Sequence, residues 1–346
     1  MRELVRLSLQ RPSRRGGGRR TNLALLGLLP LAVLTGLYAN TIGTDWLVDP
    51  AAVHGVVALA IAGLSPWKSV IVRRGLRRWT RSTWTSIGLL TLVVATLGTG
   101  LLHATGFQGM LGFLTVMQVH IGGALLALVL VVSHFRSHPV RLRRHDVDRR
   151  AFLRAAGTAV ASLVAWAGIQ RGQQAVGLPG GDRRFTGSHQ RGSFEPARMP
   201  VTSWLDDRVQ RIAAQAWDIG VPGRRLSLTD LAAYPSDDVT ATLDCTSAWY
   251  SRQVWTGVRL DRLIDAGAHR SIVVRSATGY ARRFPVRDLD RLWLVTHVGG
   301  APLSAGHGFP ARIVAPGRRG FWWVKWVTDI ETSDVAWWVQ LPFPAT

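Results

Sequence analysis

Between residues 22 and 135 the chain alternates long apolar runs with short basic ones. Leu, Val, Ala, Ile and Gly fill the stretches 22–42, 51–72, 84–103 and 111–135 with almost no charge. Each is long enough to cross ~30 Å of hydrocarbon, which takes ~20 helical residues. A helix of a soluble core keeps one polar face, and these keep none, so four transmembrane helices are expected. A fifth run, 151–169, is shorter and richer in Ala and Gly. Beyond about residue 200 the period changes. The runs 271–275, 292–296, 312–315 and 322–327 alternate or are β-branched and are punctuated by Gly and Pro, which predicts strands of a mixed sheet. Helical patterns occupy 228–234, with Ser227 as its N-cap, and 260–266. Residues 171–202 carry the Gly, Arg, Gln, Pro and Ser of a linker. The expectation is a multi-domain protein: an N-terminal all-α transmembrane bundle of four or five helices, then an α+β domain. Its divisions are a basic leader (1–21), a four-helix membrane domain (22–135), a loop with the fifth span (136–170), the linker (171–202) and the α+β domain (203–346).

Charge sets the orientation. The 346 residues hold 42 Lys+Arg against 21 Asp+Glu, a formal charge of +21. That balance suggests nucleic acid only until its distribution is read, because long apolar runs separate the arginine clusters, and no nucleic-acid partner is expected. Arginines crowd the leader (Arg2 to Arg20), the second connection (Arg73 to Arg81) and the segment after the fourth run (Arg136 to Arg150). The other two connections hold Asp45 and Asp49 in one case and no charge in the other. Short cytoplasmic loops keep the Lys/Arg excess. The reading is therefore a multi-pass protein of the cytoplasmic (inner) membrane, with a cytoplasmic N-terminus and an extracytoplasmic C-terminal domain. Asp148-Arg149-Arg150-Ala151-Phe152-Leu153-Arg154, directly before the modest apolar run, resembles a twin-arginine signal and implies the twin-arginine export machinery as partner. Asp148 stands where that pattern usually has Ser or Thr. Ala165-Trp166-Ala167 could be cut, or the span could stay as an anchor.

Histidine inside a bilayer is costly and marks function. His54 opens the second run, His103 closes the third, and His120 and His134 lie fourteen apart on the fourth, nearly on one helix face. That spacing lets one helix serve two stacked b-type haems, each of which needs a partner histidine on a facing helix. The pair is His54 with His120, with His103 as substitute. His134 would want a partner where Lys68 stands, so one outer haem b is expected, exchanging electrons with the quinone pool. Helix count and histidine placement loosely resemble the four-helix cytochrome b-type membrane subunits of bacterial oxidoreductases.

Cys245 is the only cysteine, which excludes an intrachain disulfide and any Cys-rich zinc or iron–sulfur site. A thiolate suits a polarizable transition metal, but one thiol cannot hold it alone, so a cofactor must bring the remaining ligands. The surrounding Cys245-x-x-Ala248-Trp249-x5-Trp255-x-Gly257 resembles the molybdenum-binding segment of the sulfite oxidase family, in particular its bacterial methionine-sulfoxide reductase branch. His307-Gly308-Phe309-Pro310-Ala311-Arg312 is similar to that family's pterin-binding segment, and Gly320 to Val327, with Val324-Lys325-Trp326, matches a third motif in order and spacing.

The resemblance covers about 203–331 and implies a sulfite-oxidase-type fold with molybdenum-molybdopterin as cofactor. Cys245 would be the thiolate ligand, Ser247 would lie beside the cofactor, and His307, Arg312 and Lys325 would hold the pterin and its phosphate. Trp249, Tyr250, Arg252 and Tyr280 would line the reacting pocket. Sulfite-oxidising members follow the cysteine with Asn-Arg-Arg-type residues, whereas Thr246-Ser247-Ala248-Trp249 follows here. That departure favours a small oxo-donor such as a sulfoxide or N-oxide over sulfite. The expected function is a molybdopterin-dependent oxidoreductase doing two-electron oxygen-atom transfer. The alternative is a pterin- or partner-binding sensor or assembly module without turnover.

Overall fold

The computed structural model describes residues 15–44, 49–75, 81–107, 109–112, 114–137, 146, 148–204 and 207–343. The arginines of the leader up to Arg14, Arg77, Arg78 and those from Arg141 to Arg144 lie outside the described residues. The chain divides into two compact units, 1–37 with 50–181 and 38–49 with 182–346.

The first unit is helical: α1 (Arg15–Thr41), α2 (Pro50–Gly75), α3 (Arg81–Ala104), a small hairpin of β1 (Met110–Leu111) and β2 (Leu114–Thr115), α4 (Val116–Ser137) and α5 (Arg149–Ala175). By length and composition four stretches can cross a membrane: Gly18–Thr41, Thr83–Ala104, Val116–Arg136 and Arg149–Ala175. In α2, which runs Pro50–Gly75 with Pro66 inside it, the described apolar part is Pro50–Pro66. The fourth run does not begin as helix at 111. Gly112, at φ +67°, turns the hairpin, and helix starts at Val116. The helices carry large apolar side chains on their outer faces, as with Val129 (67% exposed) and Val164 (65%), the inverse of a water-soluble bundle.

Asp148 caps α5, its carboxylate accepting from the Ala151 amide at 2.6 Å. Aspartate is as good an N-cap as serine or threonine, which gives a local physical reason for its place before the arginine pair. Arg20 pairs with Asp148 at 3.1 Å and Arg19 with Asp146 at 2.6 Å.

The second unit is mainly sheet. In chain order it has β3 (His189–Gln190), β4 (Asp218–Val221), β5 (Arg224–Ser227), α6 (Leu228–Ala232), β6 (Asp237–Asp244), β7 (Trp249–Arg259), β8 (Ser271–Ser276), β9 (Ala281–Pro285), β10 (Trp293–Val298), β11 (Ala301–Pro302), β12 (Arg312–Val314) and β13 (Val327–Ser333). One sheet runs β11-β10-β7-β3, with β6 also on β7 and β12 also on β10. The other runs β5-β4-β13-β8-β9. Both are mixed, since β3 lies parallel to β7 and β4 parallel to β13 while the remaining pairs are antiparallel. Their inward residues share one core, with Trp255, Leu294 and Ile313 from the first sheet and Ile219, Ile272 and Phe284 from the second.

Ser227 makes a full capping box with Asp230 at the start of α6, the arrangement that satisfies two orphan helix donors at once. Two expectations fail. Residues 260–266 hold only a 3-10 turn, Leu260–Arg262. Residues 322–327 are not a strand: a 3-10 turn covers Gly320–Trp322 and β13 begins at Val327. Trp323, Val324 and Trp326 are all buried, and Trp326 sits at φ +50°, so the stretch lacks the in-out alternation of a strand. The linker-like stretch contributes β3, whose His189 and Gln190 pair with Trp249 and Tyr250.

Candidate functional site

Cys245 follows β6 and opens a tight turn into β7. Its amide donates to the Trp249 carbonyl at 2.8 Å, and the Ala248 amide closes the turn onto the Cys245 carbonyl at 3.1 Å. The Ser247 amide points at Sγ, 3.5 Å away. Ala248 takes φ +72°, a left-handed conformation that costs an L-residue roughly 1–2 kcal/mol. The half-buried thiol is therefore presented by backbone geometry at the end of the longest strand pair of the domain.

Three basic residues converge near it. Arg312, on β12, is 1% exposed. Among the described residues its Nη1 and Nη2 donate only to carbonyls, of His307 at 3.1 Å and Trp323 at 3.2 Å, and its buried Nε has no partner. The guanidinium lies 5.2 Å from the Trp255 ring centre and 5.6 Å from that of Trp323. Lys325 Nζ likewise donates to carbonyls, of Gly306 at 2.6 Å and Thr202 at 2.8 Å. Gly308, at φ +106°, lets the loop close over both, since a Cβ there would stand 3.1 Å from the Cβ atoms of Arg312 and Lys325. His307 is buried between Ser304 Oγ (2.9 Å) and the Met199 carbonyl (3.2 Å).

Desolvation dominates the electrostatics of this cluster. Burial pushes Arg312 down to about 9, with the Cys245 sulfur opposing. Burial and then the Arg312 charge push Lys325 down to about 7, with Cys245 and Asp207 opposing. Burial, Arg312 and Lys325 push His307 down to about 4. Among the described residues, neither Arg312 nor Lys325 donates to a carboxylate. Stranded buried cations are costly, and an unpartnered guanidinium nitrogen calls for an acceptor from outside the chain. A guanidinium fork beside an ammonium fits a phosphate, and the neighbouring thiol fits a soft metal. Among the described residues no group of three or more His, Cys, Asp or Glu is placed to hold a metal ion, so a metal bound through Cys245 brings most of its ligands with it. The residues present thus fit an anionic, metal-bearing pterin.

The remaining candidates scatter. Trp249 is buried and donates from Nε1 to Thr202 Oγ at 3.0 Å. Tyr250 is half-buried beneath Arg184, whose Cζ is 5.4 Å from its ring centre. Burial raises its phenol pKa, with Arg184 opposing. Arg252 is exposed and lies 5.8 Å from the Phe194 ring centre. Ser247 is exposed. Tyr280 is buried with its hydroxyl on the Phe321 carbonyl, and burial raises its pKa. Sequence reasoning missed Asp244 and Arg319, both buried beside the cysteine. An acid directly before the cysteine, at the end of β6 where the chain turns inward, was the available signal.

In the helical unit His54 and His120 face each other, ring centres 5.9 Å apart and planes at 89°. Nδ1 of His54 bonds the Ala32 carbonyl at 3.0 Å and Nδ1 of His120 the Thr96 carbonyl at 2.9 Å. Four residues beyond each carbonyl stands a glycine. A Cβ on Gly36 would lie 3.0 Å from His54 Cε1, and one on Gly100 would lie 2.9 Å from His120 Cε1. The α1–α2 and α3–α4 hairpins therefore repeat one device: carbonyl, glycine, imidazole. His134 bonds Ser86 Oγ at 3.3 Å, Lys68 bonds Asn22 at 2.9 Å, and His103 is buried near the end of α3.

Residues 206–337 match the family model described as oxidoreductase molybdopterin binding domain. Mitochondrial sulfite oxidase of Mus musculus is 31% identical over 179 residues, 41% of this chain and 32% of that protein. The uncharacterized oxidoreductase YuiH of Bacillus subtilis (strain 168) is 31% identical over 115 residues, 31% of this chain and 57% of that protein. The chain thus spans about a third of the length of the sulfite oxidases it matches. Among solved structures, the sulfane dehydrogenase SoxCD of Paracoccus pantotrophus is similar at 23% identity and a TM-score of 0.34, over 37% of this chain and 41% of that one. The family match and the sulfite oxidase relatives agree on a molybdopterin-binding oxidoreductase domain, and the buried cationic site fits it.

Proposed function

We propose that this protein is a membrane-anchored molybdopterin-dependent oxidoreductase whose catalytic domain lies outside the cytoplasmic membrane. The observation that carries the reading is the pair of buried cations, Arg312 and Lys325, which among the described residues bond only to neutral carbonyls, beside the lone thiol of Cys245. Cys245 would ligate molybdenum, and His307, Arg312 and Lys325 would hold the pterin and its phosphate. When bound, that group supplies two-electron oxygen-atom transfer. The chain's part is to fix the thiolate by the 245–248 turn, exclude water with Trp249, Trp255 and Trp323, and neutralise the phosphate.

In the helical unit, His54 and His120 would hold one haem b. Each Nδ1 is occupied by a backbone carbonyl, which leaves Nε2 as the nitrogen for iron. The haem would relay single electrons between the metal and the quinone pool. The arginine pattern supports a cytoplasmic N-terminus, and Arg149-Arg150 before α5 supports twin-arginine export of a domain already folded around its cofactor. Thr246-Ser247-Ala248-Trp249 after the cysteine favours reduction of a sulfoxide or N-oxide over oxidation of sulfite.

Elemental analysis and an optical spectrum on one purified sample test both cofactors. Near-stoichiometric molybdenum, lost together with dye-linked reductase activity in Cys245→Ala, is the expected result. Purified chain devoid of molybdenum overturns the enzyme reading and leaves a binding module.

A further inference from the structure

The most heavily bonded group near the thiol is one residue before it. Asp244 is 2% exposed, and its carboxylate takes four side-chain partners. Oδ1 accepts from Arg319 and from Ser188 Oγ at 2.6 Å; Oδ2 accepts from Thr186 Oγ at 2.7 Å and Arg184 Nε at 3.1 Å. Arg319, 1% exposed, turns its other terminal nitrogen to the Cys245 carbonyl at 3.2 Å. A backbone bridge between Asp244 and Arg319 reinforces the contact. None of these partners lies within the three motifs that mark the cofactor site.

Arg319 therefore links two things: the Asp244 charge that compensates it and the peptide oxygen of the cysteine. That same oxygen closes the turn by accepting from Ala248, and the turn aims the Ser247 amide at Sγ. A buried guanidinium holds its place only while its carboxylate is present. Without that charge Arg319 would seek water, release the Cys245 carbonyl, and free a turn already strained at Ala248.

We propose that Asp244 is a positioning residue for Cys245, acting through Arg319, and that Arg184, Thr186 and Ser188 belong to the functional site as the donors that keep Asp244 in place. The inference rests on the reading of Cys245 as a metal ligand, but its test reads the sulfur itself.

Because Cys245 is the sole thiol, alkylation of the full-length, detergent-solubilised chain by iodoacetamide reports on one atom. Asp244→Asn is expected to raise the native-state labelling rate at least tenfold. Leu226→Ala, a cavity variant in β5 on the other sheet, should lower the melting temperature and leave the rate within twofold. The double variant Thr186→Ala/Ser188→Ala removes two neutral donors without stranding a charge and should raise the rate about threefold; it decides the matter if Asp244→Asn does not fold. Labelling of Asp244→Asn or of the double variant at the wild-type rate, or equal acceleration by Leu226→Ala, overturns the proposal. Molybdenum measured on the wild-type sample separates the two ideas: its absence sinks the ligand reading, while the labelling comparison still judges the Asp244–Arg319 clamp.

Discussion

His54 on α2 and His120 on α4 stand with ring centres 5.9 Å apart, each fixed through Nδ1 by a carbonyl of the preceding helix. A histidine locked this way presents a defined nitrogen. If the two hold a haem b, replacing either by Ala should abolish the b-type Soret and α bands in a reduced-minus-oxidised spectrum, whereas His134→Ala should leave them. Bands that persist in both His54→Ala and His120→Ala place the ligands elsewhere.

The glycines beside these rings carry their own expectation. A side chain at Gly36 or Gly100 starts within contact distance of the imidazole. With a haem b between the rings, Gly100→Leu should therefore cost haem content as completely as loss of His120, with the helical far-ultraviolet signal unchanged. Wild-type haem-to-protein ratios in Gly36→Leu and Gly100→Leu would exclude these positions from the site.

Arg312 should separate function from stability. Its removal relieves a buried cation that the chain itself leaves partly unpaired. A buried charge without a paired opposite charge carries an uncompensated desolvation cost, and among the described residues Arg312 has no carboxylate partner. Arg312→Met is expected to raise the melting temperature of cofactor-free protein, and to lower several-fold the molybdenum content of protein purified with its cofactor. A variant that melts lower, with full molybdenum, contradicts the assignment.

The pH dependence follows from Lys325 and His307, whose folded values of about 7 and about 4 lie below their usual ones. A depressed base binds fewer protons folded than unfolded between its two values, so stability rises with pH there. Cofactor-free protein should gain stability as pH rises from about 4 to 6.5 through His307, and again above about 7 through Lys325. A bound phosphate reverses the second trend by favouring the charged lysine. Thermal melts across pH 4–10, with and without cofactor, read both slopes; a cofactor-free melting temperature that falls steadily above pH 7 refutes the Lys325 contribution.

The helices were legible because lipid demands an unbroken apolar run, and fixed helical spacing put His120 and His134 on one face before any coordinates. The Ser227 cap and strands β8 and β10 were legible for a similar local reason. Where several tryptophans are buried in succession, as from Trp322 to Trp326, periodicity vanishes and the strand expected there is a 3-10 turn and a buried loop. Asp244 and Arg319 were illegible because 75 residues separate them; nothing local tells a charge which distant charge will meet it. The Gly/Arg/Ser-rich stretch hid its role likewise, since β3 and the hydroxyls of Thr186 and Ser188 acquire meaning only once β7 and Asp244 are in place.

The clamp on the cysteine carbonyl has a consequence for biosynthesis. Arg319 leaves the ribosome 75 residues after its acidic partner, when α1 to α5 have long since emerged. Until then the turn that presents the sulfur has only its own backbone bonds to hold it, and Lys325 has yet to be made. Assembly of α1 to α4 can thus begin during translation, whereas completion of the pocket around Cys245 has to wait for a nearly finished polypeptide.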